Sequence, residues 1–155
     1  MQLGMKEFEA DVRVADTQTA GICAGTTIMT LDGEMPVEHL NAGDRVITRD
    51  SGMAILRDIK VTTVKAHAIR IKAGSLGHTR PDRDMMVMPG TQLHIRDWRA
   101  EALFGQPAAL VAASRLVDGE YLAETNLREV NVYELIFDRQ HILYADGMEV
   151  ASAAV

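Results

Sequence analysis

Short apolar segments, broken at close intervals by turn dipeptides, constrain this chain more than any other feature of its sequence. Thr26 to Leu31 runs into Asp32-Gly33, and Arg45 to Thr48 lies between Ala42-Gly43-Asp44 and Asp50-Ser51-Gly52. Ile59 to Val64, Ala68 to Ile71, Met85 to Met88, Leu93 to Ile95 and Val130 to Phe137 are further short runs rich in β-branched or apolar residues, the composition of strands. Ile142-Leu143-Tyr144, Asp146-Gly147 and Met148-Glu149-Val150 spell a hairpin with a two-residue turn, because both central positions of that turn demand positive φ. Near the start, Phe8, Ala10, Val12 and Val14 alternate with polar residues at strand period. Helical signals are brief: Pro36 to Leu40, with Pro at the first helical position, and Trp98 to Phe104, stopped by Gly105 and Pro107. Many strands without long crossover helices predict an all-β domain.

Composition narrows the function classes. A length of 155 residues fits one domain with a real core, and 47% hydrophobic with 25% charged residues excludes a disordered chain. The net charge of −6, with no basic block, argues against nucleic-acid binding. No apolar run is long enough to span a bilayer, and no basic start precedes an apolar stretch. No membrane association is expected, and a cytoplasmic protein, or one exported without an N-terminal signal, is. The single cysteine, Cys23, excludes an intramolecular disulfide and any zinc site needing two thiolates. It is either a small apolar residue or a reactive thiol.

Taken in order, Ala24-Gly25-Thr26-Thr27-Ile28-Met29-Thr30, Pro36-Val37-Glu38-His39-Leu40 and Ala42-Gly43-Asp44-Arg45-Val46-Ile47-Thr48 resemble the opening of a Hedgehog/intein (Hint) domain, closest to its bacterial Hint_2-type branch. Ile69 to Gly77, Arg83 to Pro89, Ile95 to Ala100 and Tyr133 to Gly147 continue the resemblance, which covers about residue 21 to residue 152. It implies a horseshoe of short strands and hairpins, with residues 1–20 as a leading segment, one strand packed on the domain, and residues 153–155 as a tail. It also implies self-processing chemistry. A Cys or Ser at the domain start attacks the preceding carbonyl, a Thr-x-x-His element polarises that bond, and a later Asp/His pair assists. In inteins a terminal Asn then cyclises.

Carried over residue by residue, the family's pattern sets its nucleophile seven positions before Ile28, at Gly21, so that Cys23 is displaced by two. Along a strand that is a shift of roughly 6–7 Å. Thr91-Gln92-Leu93-His94 has the spelling of the middle element, but extended spacing of three puts Thr91 and His94 on opposite faces unless Pro89-Gly90 bends the chain. An alternative register sets Thr91 at the family's histidine and makes His94 an ordinary strand residue. Glu134 in Tyr133-Glu134-Leu135 stands for the family's Asp, and His141 for its later His. The alternative for His141 is a ring that closes the hairpin end through a backbone hydrogen bond. Ala151-Ser152 replaces the terminal His-Asn. With that Asn missing, about 20 residues ahead of the site and nothing after Val155, protein splicing is not expected.

The candidate catalytic set is therefore Cys23, Thr91, His94, Glu134 and His141, in a domain expected to be a degenerate member of its family. An autoproteolytic domain acting through Cys23, and a peptide-binding module, are the alternatives. No cofactor or metal is implied; His67 and His78 stand at spacings unrelated to a ligand set. No partner is identifiable beyond a peptide or a segment of a host protein. Trp98, within Arg96-Asp97-Trp98-Arg99, is expected to anchor its short helix to the sheet, and the methionines to fill irregular core space.

Overall fold

The strand-and-turn rhythm becomes fifteen strands in the computed structural model, which describes residues 12–15 and 18–154. In chain order they are β1 (Ile22–Cys23), β2 (Thr27–Thr30), β3 (Gly33–Pro36), β4 (Arg45–Thr48), β5 (Gly52–Ile55), β6 (Asp58–Ala66), β7 (Ile69–Ile71) and β8 (Met85–Val87). There follow β9 (Gln92–Ile95), the helix α1 (Trp98–Phe104), β10 (Ala109–Ala112), β11 (Leu122–Glu124), β12 (Arg128–Phe137), β13 (Ile142–Ala145), β14 (Met148–Ala151) and β15 (Ala153–Ala154). Single 3₁₀ turns cover Val37–His39 and Ala113–Leu116. The fold is all-β. No helix among the described residues is long and apolar enough to cross a membrane.

Two sheets, antiparallel except where β15 joins β12, share the strands. One runs β11-β7-β8-β1-β12-β15, with β6 paired along the other edge of β12. The second runs β10-β9-β14-β13-β2-β4-β5, with β3 against β2. Alternation along the strands turns Ile69, Ile71, Leu93, Ile95, Leu143 and Phe137 inward, into the main core with Ile28, Leu122 and Val150. Val37, on its 3₁₀ turn, and Leu40, just after it, plug the same core. A second, smaller cluster joins Cys23, Val64, Ala66, Met88, Val130 and Val132.

Local chemistry explains the punctuation. Asp146 and Gly147, with φ of 48° and 78°, make the two-residue turn between β13 and β14, with Ala145 opposite Met148. The earlier hairpin differs by one residue from the sequence expectation. Its turn is Leu31-Asp32, and Gly33 already pairs with Thr30, because the Thr30 hydroxyl accepts from Asp32 N–H and donates to Gly33 O. The α1 bounds are those expected: the Asp97 carboxylate accepts from Arg99 N–H, and Gly105 ends the helix at φ 67°.

Other expectations need correction. Trp98 does not anchor α1; it is 69% exposed, with the Arg99 guanidinium 4.7 Å from its ring centre. Ala100 is the buried residue of that helix. Ala153–Ala154, expected as tail, extends the sheet by pairing with Ile136–Phe137. The leading strand lies largely outside the described residues. Of it, Val14 bridges Lys65 in parallel, so that this short piece lies along the edge of β6.

Candidate functional site

The long strand β12 has three neighbours, and a cavity lies where two of them leave a gap. Along one edge it pairs with β6 from Arg128 to Ile136. Along the other it meets β1 at Val132–Tyr133 and β15 at Ile136–Phe137. Between those two partners, at Glu134–Leu135, opens a cavity of about 230 Å³ whose wall includes Gly21, Thr91, Glu134, Gln140, Ala151 and Ser152. Both ends of the domain thus converge on one space.

Thr91 dominates its chemistry. It is 2% exposed, and its hydroxyl accepts from Gly21 N–H at 3.1 Å while donating to Gly21 O at 2.9 Å. The turn before it places it there: Thr91 N–H bonds Met88 O, and Gly90 N–H bonds Thr19 O. Gly90 has no room for a side chain, since a Cβ would stand 2.3 Å from Gln18 O. Gly21 is tighter in a more telling way. Its φ is +143°, and a Cβ would lie 2.3 Å from Val132 Cγ1 and 3.3 Å from Tyr133 O. Val132 is β-branched and cannot swing its methyl away without a rotamer change. Glu134 lines the cavity half-buried, opposite Lys60 in the strand register.

The remaining sequence candidates lie elsewhere. Cys23 is 4% exposed among Val64, Ala66, Met88, Val130 and Val132, and burial pushes its thiol pKa up to about 12 against a small lowering by Arg128. One side of it borders a second cavity of about 300 Å³ with Arg70, Arg83 and Met86. His94 donates from Nδ1 to Glu149 Oε1 at 2.7 Å. His141 sends Nδ1 to Asp50 Oδ2 at 3.1 Å and packs edge-on to Phe137. Its ring therefore meets a carboxylate and not a backbone group; the hairpin end is closed by its main chain, with His141 N–H donating to Ser152 Oγ and Ser152 N–H to His141 O. Burial opposes ionisation of Asp50, yet the Ile142 N–H and the His141 ring outweigh it and hold the carboxyl below the usual range.

Thr91 and Glu134 are thus brought together with Gly21, whereas Cys23, His94 and His141 occupy three other environments. Thr91 stands at the cavity, and His94 lies on the other side of the sheet from the core-facing Leu93 and Ile95. One cluster escaped the sequence reading: Arg49, Arg80 and Arg96 join His94 around Glu149. Only the spacing of two between His94 and Arg96, which puts both on one strand face, signalled any part of it. Among the described residues no three His, Cys, Asp or Glu side chains stand close enough to hold a metal.

Comparison with known proteins matches this fold. A family profile described as "Hint domain" covers residues 20–154. The bacterial intein-like domain from Clostridium thermocellum superposes with a TM-score of 0.56 at 17% identity, over 87% of this chain and 99% of that one. A DnaB intein from Synechocystis sp. PCC 6803 superposes with a TM-score of 0.59 at 11% identity, over 87% and 99%. No curated protein sequence matches.

Proposed function

The chain belongs to the Hint domain family, and from the state of its cavity we propose that it keeps the fold of a self-processing domain without efficient peptide-bond chemistry. Gly21 carries this reading. It occupies the nucleophile's place in the family pattern, offers no side-chain atom to attack a carbonyl, and has a neighbour, Val132, in the space a Cβ would need.

The other requirements of an acyl shift are missing from the same space. An N-to-S shift needs a thiolate close to the carbonyl and a proton donor for the departing nitrogen. Cys23, with a pKa of about 12, stays a protonated thiol at neutral pH and is packed among aliphatic and methionine side chains. The two imidazoles that a proton transfer would call on are bonded to Glu149 and Asp50. Thr91 closes on both polar atoms of Gly21 and holds that backbone in place. Ala151 and Ser152 replace the terminal His-Asn, so no side-chain amide nitrogen is present to attack its own backbone carbonyl and release a C-terminal flank.

Intact-mass analysis of the purified chain, with and without a strong thiol nucleophile, tests the proposal. The full mass persists under both conditions, and the same holds for Cys23→Ala. Cleavage of the Ile22–Cys23 bond that grows with thiol and disappears in Cys23→Ala would assign live chemistry to Cys23 and overturn the reading.

A further inference from the structure

On the outer face of the second sheet, away from the cavity, Glu149 is 1% exposed between Met148 and Val150. Burial raises its pKa. Hydrogen bonds from His94 and Arg96, with the charges of Arg80 and Arg96, more than offset that and hold its carboxyl below the usual range. Arg96 reaches it with Nε at 3.1 Å and Nη2 at 2.9 Å, Arg80 with Nη1 at 2.9 Å and Arg49 with Nε at 3.3 Å.

The charges here do not balance. Among the described residues, Glu149 is the only carboxylate within 4.0 Å of any of these three guanidiniums. Three cations against one anion leave a surplus of two positive charges, in a chain whose net charge is −6. The surplus is concentrated against the general sign of the molecule. Several nitrogens are also unused: Nη1 and Nη2 of Arg49, Nε and Nη2 of Arg80, and Nη1 of Arg96 have no partner among the described residues. Those of Arg80 and Arg96 reach solvent, because Ser75 Oγ is the one buried side-chain polar atom left unpaired among the described residues. Guanidiniums pinned from behind by a shared carboxylate lose little side-chain entropy on binding, and their fork geometry matches tetrahedral oxyanions.

We propose that Arg49, Arg80 and Arg96 form a binding site for a dianionic tetrahedral oxyanion of the phosphate-monoester class, with Glu149 as the inner post that fixes the three guanidiniums. A dianion matches the surplus of two, whereas a carboxylate neutralises half of it. Free phosphate and a phosphorylated side chain share this chemistry.

Side-chain NMR of the arginine Nε–Hε groups tests it, with the chain titrated at constant ionic strength by inorganic phosphate, acetate, or a short phosphoserine peptide. Phosphate produces saturating shifts at Arg49, Arg80 and Arg96 with one common midpoint, and acetate binds at least about tenfold more weakly. Arg49→Gln, at the most exposed of the three positions, weakens phosphate binding by about fivefold or more. Arg139→Gln, on an arginine beside Asp50, leaves it unchanged. A peptide that binds much more tightly than inorganic phosphate identifies a phosphorylated chain as the ligand; equal affinities identify the free ion. Shifts that rise linearly without saturating, acetate acting as well as phosphate, or an unaltered midpoint in Arg49→Gln would each overturn the site. The titration of the unaltered chain locates the shifts by itself, so the outcome does not hang on the folding of a variant.

Discussion

Thr91 and His94 stand three residues apart, yet they belong to regions of opposite character. Thr91 faces a cavity with one acidic residue, Glu134, in its wall, where its one hydroxyl is spent on the backbone of Gly21. His94 faces a crowded ionic centre, where three guanidiniums and an imidazole converge on the fully buried Glu149. The strand between them explains the division, since Leu93 and Ile95 point into the core while His94 and Arg96 leave on the other side. A catalytic spelling laid onto extended backbone is divided by the sheet. Two of the candidate polar groups, His94 and His141, are held in contacts with carboxylates, while Glu134 stays at the cavity with Gly21, Thr91, Gln140, Ala151 and Ser152.

The strongest way to break this comparison is to remove the post of the ionic centre. Glu149→Ala leaves the half-buried Arg80 and Arg96 and the exposed Arg49 without their shared counter-charge and costs about 3–5 kcal/mol in denaturant unfolding. A loss below about 1 kcal/mol would mean that the centre is surface decoration. Acid adds a second reading of the same contact. The folded pKa of Glu149 lies below the ordinary value of about 4.3, so its stabilisation is complete above that pH and is lost as pH falls through the folded value. Glu149→Gln flattens that limb of the acid unfolding curve.

How much of this was legible in the sequence depends on range. Strand segments, the Asp146-Gly147 turn and the bounds of α1 follow from local pattern, and the structure keeps them. Gly21 as the nucleophile's counterpart rests on counting back from Ile28, across the turn at Cys23–Thr26 that separates β1 from β2. The Glu149 centre was not legible. Its members come from the end of β4, the loop before β8, β9 and β14, and only the tertiary fold gathers them. Trp98 shows the converse error: its size suggested burial, but with Ala100 as the buried residue of a seven-residue helix it stays largely exposed, with the Arg99 guanidinium over its ring.

A smaller effect tests the other side of the comparison. Gly21→Ala brings a Cβ to 2.3 Å from Val132 Cγ1 at a backbone φ of +143°. Overpacking of this kind costs about 1–3 kcal/mol. Pairing it with Val132→Ala, which vacates the space, recovers part of the loss relative to Val132→Ala alone. If Gly21→Ala is neutral, room for a nucleophile exists and the glycine is not structurally enforced.

The smallest expected effect is the most specific to the cavity. Thr91→Val keeps the shape of the side chain and removes its hydroxyl, which carries one hydrogen bond from Gly21 N–H and one to Gly21 O. A neutral hydrogen bond is worth about 0.5–1.5 kcal/mol net. The cavity is open enough for water to reach the freed groups, so the two losses are largely compensated and the total stays near about 1 kcal/mol. That figure lies well under the one for Glu149→Ala, although Thr91 and Glu149 are almost equally buried. Denaturant titrations of the two variants in the same buffer set them side by side. Equal losses would show that burial alone fixes the cost. A gap of about 2 kcal/mol or more would locate the difference in charge: a hydroxyl facing a wet cavity leaves behind two neutral groups, and a buried carboxylate leaves behind three like charges without their shared counter-ion.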